Sequence, residues 1–298
     1  MSRPTAVPQT SLLLIGGAED KIGRATVLRR FVRLAGGRRA RVVLVPTASS
    51  VPDEVVAAYT EVLGRLGVDD LRVVDPANRL EASAAPLIED VDRATGVFLT
   101  GGNQLKLSQT VVGTPLGDAI ARAHRRGAVV AGTSAGASVM SQFMISLGDE
   151  GVTPRPRSSQ LTAGLALLPD AVVDQHFDQR SRYGRLMSIV AGSPNLLGIG
   201  IDEDTAAEVT DGHLLTVVGA GAVFVIDARQ AITDAHEARR DAPLLVTGAV
   251  VHSLPSGATF DLQTATLTDF EERHADRAVA RAAQEPRDGA APSAASHS

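Results

Sequence analysis

Gly132-Thr133-Ser134-Ala135-Gly136 has the spacing G-x-S-x-G. A chain that turns from strand to helix within so few residues crowds its own backbone. The positions around the serine must then be small, and glycine meets that need. The serine oxygen projects from the turn, where backbone N–H groups and the following helix start can hold an oxyanion. Ala128-Val129-Val130-Ala131 precedes the motif as a buried strand, and Ala137, Val139, Met140 and Phe143 follow it with an apolar helical pattern. A plain Gly/Ser turn carries the same letters by chance, but this context favours a nucleophile. The chemistry such a serine offers is nucleophilic attack on a carbonyl.

Such a serine needs a base. Of the seven histidines, His274 and His297 fall at or in the tail, His124 in a basic helix end, His213 in a turn and His236 in a polar segment. His252 follows Gly-Ala-Val-Val at a strand end and is the main rival. His176 follows Ala171-Val172-Val173, and strand alternation puts Asp174 and His176 on one face. Alone, His176 reads equally as a structural histidine. Its neighbours Asp174, Gln175, Asp178, Gln179 and Arg180 are too polar for a core strand, which favours a site. A third group must orient the imidazole, and Asp202, Glu203 and Asp204 close another small apolar strand. Any of the three fits, or none if they form a solvated turn. The order Ser, His, acid differs from the Ser, acid, His order of α/β-hydrolases.

Other segments bear on substrate. Gly101-Gly102-Asn103-Gln104 closes the strand beside the elbow, offering backbone donors and the Gln104 amide, although a plain turn fits equally. Arg180, Arg182 and Arg185 suit carboxylates through paired hydrogen bonds, while Asp174 suits a guanidinium. Gly16-Gly17-Ala18-Glu19-Asp20-Lys21 lacks both common phosphate-loop patterns and reads as a structural turn with local salt bridges. No metal and no cofactor are expected, because His176 has no second histidine at ligand spacing.

The elements that must position these groups alternate. Strands are expected near 12–15, 41–46, 71–74, 96–100 and 128–132, with helices over 21–34, 53–66, 86–93 and on to 126. That pattern predicts an α/β fold with a mostly parallel central sheet and helices on both faces. Ligands in such sheets lie at the carboxyl ends of the strands, where Ser134 and both Gly-Gly pairs fall. Beyond residue 197 the strand-like runs 214–218, 222–226, 244–251 and 259–262 predict β-hairpins extending one sheet edge. Residues 1–10 are expected to be flexible, 11–272 to form one domain, and 273–298, rich in Ala, Arg, Glu and Ser, to be a disordered tail. With 298 residues, 44% of them hydrophobic, a large core can form. The net charge of −5 gives no general attraction to nucleic acid or anionic membrane. The chain has no cysteine, and no apolar run long enough for a signal peptide or a membrane span, which fits the cytoplasm.

With these pieces placed, the sequence resembles the cyanophycinase family, which is similar to alpha-aspartyl dipeptidases and shares a fold related to class I glutamine amidotransferases. The likeness rests on Ile15–Lys21, Val45–Ser49, Phe98–Gln104, Gly132–Ala137, Asp174–Leu186 and Gly198–Ala206. It implies a Ser-His-Glu triad of Ser134, His176 and Glu203, and an oxyanion hole at the N–H groups of Gly102 and Ala135. It also implies a substrate pocket of Gln104, Asp174, Gln175, Arg180, Arg182 and Arg185, and a homodimer. The implied substrate is cyanophycin, a poly-aspartate backbone with an arginine on every side-chain carboxyl, cut to β-aspartyl-arginine dipeptides. The rival readings are an aspartyl dipeptidase acting on small peptides and a non-catalytic binding module on the same fold.

Overall fold

A computed structural model describes residues 9–239 and 242–270. Five strands form a parallel block: β1 (Ser11–Ile15), β2 (Arg41–Val45), β3 (Asp70–Val73), β4 (Gly96–Leu99) and β5 (Val129–Thr133). Both faces of the inner strands β1, β2, β4 and β5 are apolar along most of their length, as parallel sheets covered on two sides require, while the edge strand β3 carries Asp70 and Arg72. Leu13 and Ile15 of β1 pack with helices α1 (Thr26–Leu34) and α2 (Pro52–Arg65). Leu12 and Leu14 face the other way, into the layer of α3 (Ala85–Arg93), α4 (Gln104–Val111), α5 (Pro115–Arg125) and α6 (Ala135–Ser138).

Helix starts follow their local chemistry. Pro52 and Pro115 open α2 and α5, where a missing N–H is harmless. Asn103 caps α4 by accepting from the N–H of Lys106 at 3.0 Å. Helix α1 begins at Thr26 rather than at the expected Lys21. The Asp20 carboxylate accepts from the N–H groups of Ile22, Gly23 and Ala25 at 2.7–2.9 Å, folding 20–25 into a loop. These bonds to Ala25, Gly23 and Ile22 also hold Asp20 down to a pKa of about 2. The helix expected after Ser134 is short. The N–H groups of Leu165 and Leu167 donate to the carbonyls of Val139 and Met140, so the chain leaves the helix and Phe143 opens a strand.

The rest of the chain builds β6 (Phe143–Gly148), β7 (Ser159–Ala163), β8 (Ala171–Gln175), helix α7 (Tyr183–Gly192), β9 (Leu197–Ile201), β10 (Thr205–Thr210) and β11 (Leu214–Gly219). It closes with β12 (Ala222–Asp227), β13 (Ile232–Thr233), β14 (Val246–Thr247), β15 (Val250–Pro255), β16 (Ala258–Asp261) and β17 (Thr266–Phe270). The main sheet runs β17-β16-β11-β10-β1-β5-β4-β2-β3, antiparallel beyond β1. The hairpins β10–β11 and β16–β17 thus extend one edge. Strands β12 and β15 do not: with β9 and β8 they make a second, four-stranded sheet. The expected single strand over 244–251 is divided at Gly248, whose φ of +79 breaks the extended backbone.

The second sheet packs on the α3–α6 side of the main sheet, sharing one apolar cluster that includes Val173, Ile199, Ile201, Val223 and Val225. Its other face meets α7 through Val172, Leu186, Val190 and Ile226. Thr10, expected in the flexible start, exchanges hydrogen bonds with Asp211. The expected tail, 273–298, lies outside the described residues. Among the described residues, no helix is long and apolar enough to cross a membrane.

Candidate active site

Ser134 sits between β5 and α6 at φ 52 and ψ −113, a conformation that a non-glycine residue holds only under constraint. The flanking glycines are there for contact. A Cβ on Gly132 would lie 2.2 Å from the Gly136 carbonyl oxygen, and one on Gly136 would lie 2.1 Å from that of Leu99.

His176 leaves the end of β8 at φ 48, so strand alternation stops at Gln175 and does not put Asp174 and His176 on one face. The kink aims the imidazole at the elbow: His176 Nε2 is 3.1 Å from Ser134 Oγ. Its Nδ1 is 2.6 Å from Glu203 Oε1. The three acids after β9 separate by contact. Asp202 is buried and accepts from the N–H groups of Asp178 and Ala222, and burial raises its pKa. Asp204 accepts from the N–H of Asp20. Glu203 alone reaches the imidazole, and its own N–H donates to the Gln179 side chain at 3.0 Å. Burial lowers the pKa of His176; the Glu203 hydrogen bond opposes this, while Arg180 and Arg182 add to it. The ring is therefore neutral at pH 7 and free to take a proton. The rival His252 pairs within β12–β15 and lies tilted against Phe260, with ring centroids 4.7 Å apart.

The end of β1 ties these pieces together. Successive carbonyls accept from Ser134 N–H (Ile15, 2.9 Å), His176 N–H (Gly16, 2.8 Å) and Asp204 N–H (Gly17, 2.9 Å). Gly17 is also where the imidazole lies against the backbone, since a Cβ there would be 2.2 Å from His176 Cε1. The sequence pointed here to a structural turn with local salt bridges, and not to its contacts with the site. The buried Glu19 beside it binds Lys21 at 2.8 Å, Thr133 Oγ1 at 2.6 Å and the Tyr59 hydroxyl. An acid four residues past the apolar run Leu12–Ile15 was the available signal for that knot.

The expected oxyanion donors face no competitor. The N–H of Ala135 is at the first position of α6, and that of Gly102 lies in the loop before α4. Neither has an acceptor among the described residues. Gly102 takes φ +142, and a Cβ there would meet the Ala48 carbonyl oxygen at 2.1 Å.

The six expected substrate residues divide. Gln104 and the exposed Arg180 have side chains without hydrogen-bond partners among the described residues. The other four are committed to one another. Asp174, fully buried, accepts from Arg185 Nε at 2.6 Å and again from its Nη2, and lies 3.5 Å from Arg182. Arg182 donates to the carbonyl and side chain of Gln175. Asp174 therefore meets the protein's own guanidinium groups, in place of the expected substrate guanidinium. Arg182 also lies 3.9 Å from the exposed Glu150, and burial with Arg185 nearby lowers Arg182 to about 10. A cavity of about 390 Å³ opens on the other flank of Ser134, between residues 17–21, α2 and Gly101.

A hydroxyl, an imidazole and a carboxylate in hydrogen-bonded series, at the carboxyl edge of such a sheet, form the arrangement used by serine hydrolases. Likeness narrows the class to a peptidase. The chain belongs to peptidase family S51, whose profile matches residues 12–217. A cyanophycinase of Trichormus variabilis is 38% identical over 270 residues, 90% of each chain. One of Geminocystis herdmanii is 36% identical over 258 residues, 86% of this chain and 95% of that one. The solved structure of a peptidase from an acI-B1 Actinobacterium shares the fold, at a TM-score of 0.63 and 21% identity over 86% of this chain and 98% of its own.

Proposed function

We propose that this protein hydrolyses the aspartate backbone of cyanophycin, releasing β-aspartyl-arginine dipeptides through an acyl-enzyme on Ser134. What carries the substrate is the 38% identity to a cyanophycinase across nine-tenths of both chains. What supports the mechanism is the series Ser134 Oγ, His176, Glu203, with contacts of 3.1 and 2.6 Å.

His176 Nε2 takes the Ser134 proton as Oγ attacks the backbone carbonyl. Glu203 accepts from Nδ1–H, fixing the tautomer and stabilising the imidazolium. The N–H groups of Gly102 and Ala135 hold the oxyanion. The imidazolium then gives its proton to the leaving amine. Water, deprotonated by His176, attacks the acyl group, and the proton returns to Ser134 as the acid departs. Arg180 and Gln104 are free to take a substrate carboxylate and amide, with Arg182 held behind them by Asp174 and Glu150. The protein acts in the cytoplasm as a homodimer, so light scattering should return twice the mass of one chain.

Incubation with cyanophycin, with products identified by mass, tests the substrate; small Asp-X dipeptides serve as control. β-Asp-Arg is the expected product, and its absence overturns the assignment. Ser134→Ala should lose hydrolysis with the fold retained by circular dichroism. A variant with near-wild-type turnover would move the nucleophile elsewhere.

A further inference from the structure

The cavity beside Ser134 differs in charge from the arginine flank. None of residues 174–185 lines it. Its volume of about 390 Å³ falls in the range of small-ligand clefts, roughly 300–1,000 Å³. One wall is apolar, from Val51, Val55 and Ala58 of the α2 region. Of its three charged groups, Glu19 and Lys21 neutralise each other at 2.8 Å, and Lys21 lies over the Tyr59 ring. The third, Glu54, is exposed in the first turn of α2 and has no ion-pair or hydrogen-bond partner among the described residues. The cavity therefore carries a net negative charge, while across the site Arg182 and Arg185 are matched by Asp174 and Glu150 and the exposed Arg180 has no ion-pair partner among the described residues.

We propose that this cavity is the subsite for a cationic arm of the substrate, with Glu54 pairing its guanidinium. The assignment rests on the proposed function for its substrate class. An arginine arm suits the cavity in both parts. Its methylenes cover the apolar wall, and its planar head meets a carboxylate. The chain to be cut then straddles Ser134, its arginine in the cavity and a free carboxylate toward Arg180. A purely structural role for Glu54, complementing the α2 dipole, would alter stability and leave substrate selectivity untouched.

The test is Glu54→Gln on two synthetic oligo-aspartate peptides whose side-chain carboxyls are amide-linked to arms, arginine in one and citrulline in the other, which keeps the shape and removes the charge. The ratio of kcat/KM for arginine over citrulline should fall about fivefold or more, the effect of losing a partly exposed charged hydrogen bond. An unchanged ratio overturns the subsite. A second measurement is independent of turnover: calorimetric titration of agmatine into the full chain carrying Ser134→Ala, with and without Glu54→Gln. Binding should weaken at least fivefold without the Glu54 charge, and no binding or equal binding sinks the proposal. If wild type cleaves neither peptide while agmatine binding still depends on Glu54, the assigned reaction fails and the cation subsite stands.

Discussion

The proton on His176 is governed by opposing neighbours. Burial disfavours the imidazolium, Arg180 and Arg182 disfavour it further, and Glu203 favours it. Only the neutral ring could accept the Ser134 proton in the proposed mechanism, so activity should be lost as pH falls through the imidazole pKa. Because that pKa lies below the ordinary 6.5, the acid limb of the kcat/KM profile should have its midpoint below 6.5. Arg180→Gln removes one lowering influence and should move that midpoint up; a fixed or falling midpoint would contradict the electrostatic account. Glu203→Gln should cut kcat roughly 10²- to 10⁴-fold, the range for losing the group that orients a catalytic imidazole. Stopped assays against wild type measure it.

One strand end aligns three distant segments. The carbonyls of Ile15, Gly16 and Gly17 fix Ser134, His176 and Asp204 in register, so the end of β1 sets how far the imidazole stands from the hydroxyl. Gly17→Ala puts a methyl into the imidazole, at 2.2 Å from Cε1, on a backbone with φ +106. The ring must shift, and a displacement of about 1 Å in such a site can remove roughly 10²-fold in rate. We expect at least that loss in kcat, with a stability change of about 1–2 kcal/mol from the left-handed backbone. Parallel thermal melts and turnover measurements separate the two. Wild-type turnover would mean that Gly17 does not set the ring position.

At the scale of the whole molecule, the two sheets share a core, and a buried ion cluster ties the second sheet to its surroundings. Asp174 on β8 binds Arg185 of α7, which also donates to the Gly148 carbonyl at the end of β6. Removing one member of a buried ion pair leaves an unpaired charge and typically costs about 3–5 kcal/mol. Asp174→Ala should destabilise by that amount in urea unfolding followed by circular dichroism. A loss under about 1 kcal/mol with a large rise in KM would return Asp174 to direct substrate contact.

Local signals exposed much of this in the sequence. Apolar runs alternating with amphipathic helices gave the parallel block, because burial on two faces leaves few polar positions in its inner strands. The elbow was legible because its glycines meet backbone within a few residues of the serine. What lay beyond local reading was set by distant backbone: which apolar strands joined the second sheet, the carbonyls of β1 that align the site, and the kink that turns His176. Likewise, the six polar substrate candidates looked alike in sequence. Tertiary burial divided them, pairing Asp174 with Arg185 and leaving Arg180 open, because a charge taken out of water must find its partner wherever the fold brings one.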